Sequence, residues 1–458
     1  MSSSATTYRK PLARFHPSAV ASYYPILLML VAISCQLALL TGRMQSARAV
    51  FRAAPFLLSL ALVFHVRGRR PRHPAAWLGQ VVLALISLEM LLHPSTDIFL
   101  SGLAHTTLYF AILAPLFWAP KLKADLRSLT WLFMVIWGFQ TISALFGVLQ
   151  AYFPGRFQPS ISTMLEDQGE GYVESLQIAL ASGEQIYRPM GLTDAPGGAA
   201  SAGFYAVLLG AGILLLDKRL LVRLACIGSM CLGMLCLYLC QVRSLVVFLG
   251  ICMIVLMAIL AWRKETKRMA TLGVVLAAVV MIAFVWAISL GGDQIMNRLG
   301  SLVEEHPSEV YHNSRGVFLE TTFKELLPEY PLGAGVGRWG NMNRYFGDPS
   351  QRQPLWAEIQ WTAWLFDGGI PMMFLYPLLV LLAIFHAWKI AKAQVATQLW
   401  LIAAVVVAYD LGALAFTFNY PFFQSQSAID FWLFNGLLFG VASQQPKLSP
   451  FSRRRLPA

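Results

Sequence analysis

Three arginines sit where a fixed, planar cation can do chemistry. Arg188 opens the run Arg-Pro-Met-Gly-Leu-Thr-Asp-Ala-Pro, Arg243 lies in Gln-Val-Arg-Ser, and Arg315 lies in His-Asn-Ser-Arg-Gly. A guanidinium is permanently charged and donates in pairs to carboxylate or phosphate oxygens, so arginines in polar breaks of an apolar chain suit a phosphate or diphosphate. Spacing alone equally allows each to meet an ordinary lipid phosphate or to cap a helix. Further on, Gly333, Gly335, Gly337 and Gly340, with Arg338 and Trp339 between the last two, make a loop whose backbone can approach a ligand closely.

The elements that must position these residues are membrane helices. The chain has 458 residues, of which 57% are hydrophobic and only 13% charged, against roughly 25% charged in soluble domains. Apolar stretches of about 20 residues, enough for a helix to cross about 30 Å of hydrocarbon, recur along almost the whole length. Twelve are expected, at 22–41, 49–66, 75–93, 99–118, 129–152, 199–216, 220–240, 243–261, 270–290, 369–388, 397–417 and 427–443. The fold class is therefore all-α, a single integral membrane domain over 1–458. The first stretch follows Arg9, Lys10 and Arg14 and reads as an uncleaved first span.

A formal net charge of +12 would suggest nucleic acid in a soluble chain. Here its distribution argues otherwise. With both termini in the cytoplasm, 23 of the 35 basic residues fall in short cytoplasmic segments, as the positive-inside rule requires. The first outer loop runs against the bias, with Arg43, Arg48 and Arg52. The charge is thus a topology signal with some attraction to anionic lipid, and no nucleic-acid partner is expected. The outer set is eleven arginines and Lys324.

Two outer segments are long, 153–198 and 291–368, and function is expected there. The first carries Glu166, Asp167, Glu170, Glu174 and Glu184, with Gly169 and Gly171 implying a loop between short helices. In the second, Val317, Phe318, Leu319, Phe323, Leu326 and Leu327 recur at helical spacing among charges, predicting an amphipathic interfacial helix. A second interfacial helix is expected over 354–367, anchored by Trp356, Trp361, Trp364 and Phe366 and ended by Gly368 and Gly369. The six cysteines fall in or beside spans without a zinc-binding pattern and read as packing residues. Glu89, Asp410 and Asp430 lie near the outer halves of spans and are expected to serve structure, pairing with outer arginines. His65, His105 and His386 read as packed or interfacial, while His306 and His312 are alternative bases in the large loop. No Asp-x-Asp cluster stands out, so no metal or other cofactor is expected.

The arrangement resembles the O-antigen ligase and O-antigen polymerase superfamily of bacterial membrane glycosyltransferases. The likeness rests on Arg-Pro-Met-Gly before the sixth span, the Arg-Ser turn before the eighth, and Leu-Pro-Glu-Tyr-Pro-Leu-Gly-Ala-Gly-Val-Gly over 327–337. It covers about 180–385 at motif level and the whole chain in topology. It implies an inner-membrane enzyme with a periplasmic active face that acts on a polyprenyl-diphosphate-linked oligosaccharide such as an undecaprenyl pyrophosphate glycan. It also implies metal-independent inverting transfer, with membrane lipids and a flippase or chain-length regulator of the same pathway as partners. The diphosphate role passes to Arg188 and Arg243, with Arg315 as a third candidate, and the substrate loop to Gly333, Gly335, Gly337 and Arg338. Members that are ligases place a His, followed by Asn, Ser or Gln, about eleven residues before the first Gly of the helix-ending turn; here that position holds Glu358, followed by Ile359, and a carboxylate there can take a proton from an attacking hydroxyl if it is positioned and partly desolvated, although a solvated rim residue would look the same.

This departure favours a polymerase of exopolysaccharide, capsule or O-antigen over a ligase acting on a lipopolysaccharide core or protein. A transporter or flippase is the reading of another class; it would place polar groups or broken helices at mid-membrane. Reporter fusions within 153–198 and 291–368 are expected to report the periplasm, and fusions at 66–74 and 263–268 the cytoplasm; the reverse pattern would overturn the topology.

Overall fold

The computed structural model describes residues 23–41, 47–67, 71–94, 99–161, 170–180, 183–304, 311–348, 355–393 and 398–444. A helix occupies each of the apolar stretches: α1 (Tyr24–Leu39), α2 (Arg48–His65), α3 (Ala76–Leu92), α4 (Phe99–Trp118), α5 (Leu126–Tyr152), α6 (Gly198–Leu216), α7 (Leu220–Cys240), α8 (Arg243–Trp262) and α9 (Thr266–Glu304). After the large loop, with its helical stretches α10 (312–329) and α11 (Gly340–Phe346), come α12 (Gln360–Lys392), α13 (Leu399–Phe416) and α14 (Gln426–Gln444). Among the described residues nine helices are long and apolar enough to cross a bilayer, and α1 and α3 are shorter apolar helices. In hydrocarbon each backbone N–H and C=O must find its partner inside the segment, which a helix provides. The protein is a multi-pass α-helical membrane protein.

α6 and α13 form the centre, with 89% and 78% of their apolar windows buried, whereas α2 and α9 keep only 22% buried and present apolar side chains outward. Small residues set the closest approach. A Cβ on Gly203 of α6 would lie 2.5 Å from the Gly233 carbonyl of α7, so the two backbones meet where no side chain intervenes.

The connections gather at two ends. At one end Arg48 pairs with Asp194, Cys240 Sγ lies 3.7 Å from the Pro189 carbonyl, Ser101 donates to the Gly337 carbonyl at 2.6 Å, and Tyr311 donates to the Phe418 carbonyl at 3.3 Å. At the other, Arg263 donates to the Ala391 carbonyl at 2.7 Å and lies over Trp400, and Gln444 donates to the carbonyls of Leu122 and Ala124. The loops predicted to be outer and those predicted to be inner thus separate into two groups.

Three local features differ from expectation. The first long segment holds a short antiparallel hairpin, Gln177–Ala179 with Gln185–Tyr187, besides the helix Glu170–Ser175. α9 runs on to Glu304 past a break at Gly292, where φ is 56°. The helix expected over 354–367 starts only at Gln360 and is not interfacial. Trp364 and Phe366 are fully buried, with Trp364 against Tyr376 and Phe423, because this segment is folded back into the helix bundle. It is continuous with the tenth span except for the break at Gly368 and Gly369. α10 is helical as expected, with Val317 and Phe323 exposed, and the second of its two wide π turns begins at Thr322, which bonds Thr362 at 2.6 Å.

On the face away from the long loops, His73 is 3% exposed, accepts the Ala75 N–H on Nδ1 at 3.1 Å, and meets the ring of His386. Burial, and secondarily the charge of His386, push its pKa down to about 3. The unfolded chain therefore takes up a proton that the folded one refuses. Stability is complete above the ordinary histidine value of about 6.5 and falls as pH drops below it, by up to about 1.4 kcal/mol per pH unit. The melting temperature of the purified protein is expected to fall between pH 7.5 and pH 5, and less steeply in His73→Asn.

Candidate functional site

The run opened by Arg188 is a loop drawn into the helix bundle, and buried backbone must be paired. Gln150 of α5, 1% exposed, does most of this: its Oε1 accepts the N–H groups of Met190 and Gly191, both at 2.8 Å, and its Nε2 donates to the Gly191 carbonyl at 2.8 Å. Ser143 Oγ accepts the Leu192 N–H at 3.0 Å, and Gln36 of α1 donates to the Leu192 carbonyl at 2.9 Å. Thr193 closes the turn onto the Met190 carbonyl at 2.7 Å. Gly191 is needed for two reasons: its φ is +65°, and a Cβ there would lie 2.7 Å from the backbone oxygen of Ser143.

This loop is tied to the opening turn of α2. Asp194 accepts from Arg48 and from Arg52, the latter at 3.1 and 3.0 Å to its two oxygens. Arg48 and Arg52, which run against the charge bias of the outer loops, are thus partly explained: one carboxylate of a distant loop draws both together. Arg188 stands at the other end of the same loop. It donates to the Ser175 carbonyl at 3.2 Å, and its aliphatic stem approaches Gly197 and hence the Val242 turn that leads into Arg243. Burial pulls the Arg188 guanidinium below its ordinary value, with Cys240 and Tyr172 opposing that. An arginine stays charged through such a shift.

Arg315 and Glu358, 43 residues apart, form an ion pair, and Trp356 Nε1 donates to the other Glu358 oxygen at 2.7 Å. Each carboxylate oxygen keeps a second lone pair, so the group can still accept a proton or a hydroxyl. The connection between α13 and α14 joins this pair to the arginine cluster. The Phe418 ring packs 5.5 Å from Trp361, and the Thr417 carbonyl accepts the Gln360 N–H at 2.9 Å, while Tyr420 stands within electrostatic reach of Arg52 and of Tyr172.

The glycine-rich loop has a different place from that expected. Gly333, Gly335 and Gly337 have φ of 104°, 100° and 87°, and all three are buried. A Cβ on Gly337 would lie 2.6 Å from Ser101 backbone, and one on Gly333 3.2 Å from the nitrogens of Gly368 and Gly369. These glycines let the loop press against α4 and the break of α12; their closest neighbours are protein backbone. Arg338 turns to the Ala334 carbonyl at 3.1 Å, within the same loop. Near it, burial holds the His93 imidazole below its ordinary value, with Arg338 adding to the effect, while the Gly333 carbonyl accepts from it.

Sequence reasoning missed the group that fastens this loop. Asp367 is 0% exposed and accepts from Trp339 at 2.7 Å, Tyr109 at 2.6 Å, His105 at 3.1 Å and Gln424 at 3.5 Å. A buried carboxylate needs such a set of donors. The available signal was an acid directly before Gly368-Gly369 in an apolar run. His105 is packed as expected. Among the described residues Asp410 and Asp430 pair with other groups than arginines: Asn435 donates to both oxygens of Asp410 at 3.0 Å, and Tyr205 donates to Asp430 at 2.8 Å, because the described arginines lie at the end of the helices and these acids among them. His312 is exposed and 3.9 Å from Glu320; His306, Glu166, Asp167 and Arg352 lie outside the described residues.

Comparison of the sequence with protein-family models and with curated proteins finds no match.

Gly191→Ala and Gln150→Leu both strike the support of the Arg188 loop. The first adds a clash and a strained φ; the second strands two buried N–H groups, at about 1–3 kcal/mol each. Each is expected to lower the melting temperature in detergent and to raise thiol labelling of Cys240, which the loop covers. Unchanged melting and labelling in both would contradict the pinned loop.

Proposed function

We propose that this protein is an inverting membrane glycosyltransferase that polymerises the repeat units of an extracellular polysaccharide, using a polyprenyl-diphosphate-linked saccharide as donor. On this reading the chain crosses the inner membrane twelve times with both termini inside, and the arginine end faces the periplasm. The carrying observation is the meeting, at one end of the bundle, of Arg188 and the Arg243 turn, with the Arg315–Glu358 pair joined to them through residues 417–420.

The chemistry follows from where charge develops. Arg188 and Arg243 hold the diphosphate while its lipid tail stays in the bilayer. The acceptor hydroxyl attacks the anomeric carbon from the opposite face, giving its proton to Glu358, and the carbon–oxygen bond to the diphosphate breaks with its electron pair leaving on the phosphate. Fixed guanidinium donors stabilise that charge as it forms. Arg315 holds the Glu358 carboxylate in place through their ion pair, and one of its donors is released or shared when the acceptor arrives. The buried Asp367, nine residues on, fixes the segment from which Glu358 projects.

The test supplies purified protein with lipid-linked repeat units, without added metal, and measures longer glycan. Arg188→Ala and Arg243→Ala are each expected to slow elongation about a hundredfold, the effect of losing one such donor, about 3 kcal/mol. Glu358→Gln is expected to abolish most turnover while donor binding survives. Full elongation by both arginine variants would refute the assignment, and full turnover by Glu358→Gln would remove it as the base.

A further inference from the structure

The opening turn of α2 carries more positive charge than its partner neutralises. Two guanidinium groups share the single carboxylate of Asp194, whose side chain is 13% exposed. Arg48 is 7% exposed and its Nε is buried without an acceptor among the described residues; the Nε atoms of Arg52 and Arg188 are in the same condition. A buried guanidinium donor left without a partner is costly, and three in one neighbourhood mark a place shaped for a further anion. Arg48 is closed off, whereas the Arg52 side chain keeps 36% of its surface exposed.

Arg52 and Arg188 are linked through one pinned loop. Asp194, which holds Arg52, lies six residues beyond Arg188 in the loop that Gln150 and Ser143 pin in place. Tyr420 is within electrostatic reach of Arg52, and Tyr172 within reach of both Tyr420 and Arg188.

We propose that Arg52, oriented by Asp194 and backed by the buried Arg48, is a further anion-binding residue that takes one phosphate of a lipid-borne diphosphate whose other phosphate lies on Arg188. The proposal rests on the glycosyltransferase reading for the ligand's identity and adds a residue from α2 to its site. Asp194 and Arg48 are positioning residues. Asp194 pre-orients Arg52 by holding its terminal nitrogen, and the incoming phosphate competes for the remaining donors, Nε included. Two phosphates then meet two separate guanidinium groups, so the site distinguishes a diphosphate from the single phosphodiester of a bulk phospholipid.

The experiment measures binding of farnesyl diphosphate and farnesyl monophosphate to the full-length protein in nanodiscs of neutral lipid. It is repeated with phosphatidylglycerol included as competitor. The wild type is expected to prefer diphosphate. Arg52→Ala is expected to weaken diphosphate binding about 10- to 100-fold, the range for a lost charge-assisted contact. It is expected to weaken monophosphate binding much less, with melting of the ligand-free protein little changed. If Arg52→Ala does not fold, Arg52→Lys, which keeps the charge but loses the paired donors, is expected to fold and to lose part of the diphosphate preference. Asp194→Asn is expected to lower the melting temperature and the preference together.

Wild-type affinity in Arg52→Ala, or in Arg52→Lys if that is the folded variant, would overturn the inference. If Arg188→Ala still lost binding, the proposed function would stand without it. If neither arginine mattered, both would fall. Displacement of the prenyl diphosphate by phosphatidylglycerol at equal concentration would assign the cluster to ordinary lipid headgroups and overturn the inference as well.

Discussion

A polar loop that dips among apolar helices must find a partner for nearly every N–H and C=O it brings with it, and residues 188–197 meet that demand with three side chains from two helices and one from a third. Gln150 alone satisfies both sides of the peptide at Gly191 and the N–H before it. Ser143 and Gln36 take the next residue from opposite sides. A loop held this way has one conformation, and the charged residues at its two ends, Arg188 and Asp194, inherit fixed positions. The rest of the arginine end is arranged around them: α2 is drawn in through Arg48 and Arg52, and the turn between α7 and α8 packs against Pro189 through Cys240.

The large loop is held by a second constraint of the same kind. An acid with no exposure has to be surrounded by donors, and the donors of Asp367 come from α4, from the glycine-rich loop and from the connection between α13 and α14. Satisfying one carboxylate therefore binds four parts of the chain that are remote in sequence. The glycines serve this assembly. Left-handed backbone at Gly333, Gly335 and Gly337 lets the loop turn tightly enough for Trp339 to reach Asp367, and the missing side chains let it lie on Ser101 and on the Gly368–Gly369 break. A motif that looks in sequence like a ligand cradle packs here against Ser101 and the Gly368–Gly369 break and joins structural elements.

These two rigid parts give the arginine end both specificity and a reason to sit at a membrane surface. Guanidinium groups fixed in partly dry surroundings interact with phosphate more strongly than they would in open water, since fewer water dipoles compete for the anion. α10, with Phe323 exposed and Thr322 tied to Thr362, supplies Arg315 to the ion pair with Glu358.

The sequence by itself determined the class of the protein. Spans of apolar residues announce helices because the bilayer forbids unpaired backbone, and every one of those stretches is helical in the fold. It also singled out Arg188, Arg243 and Arg315, permanently charged donors in polar breaks of an apolar chain, and Glu358 by its place before the Gly368–Gly369 turn. Only the tertiary structure decided which of these meet. The Arg315–Glu358 pair, the hold of Asp194 on Arg48 and Arg52, and the donors of Asp367 all join residues tens to hundreds of positions apart, and neither periodicity nor composition carries information about such contacts. The same reason explains why the burial of Trp364 and Phe366 and the packing of the glycine loop were not legible in the sequence. Aromatic rings and glycines look alike whether they face lipid, ligand or the protein's own backbone, and what lies opposite them is fixed only when the helices pack.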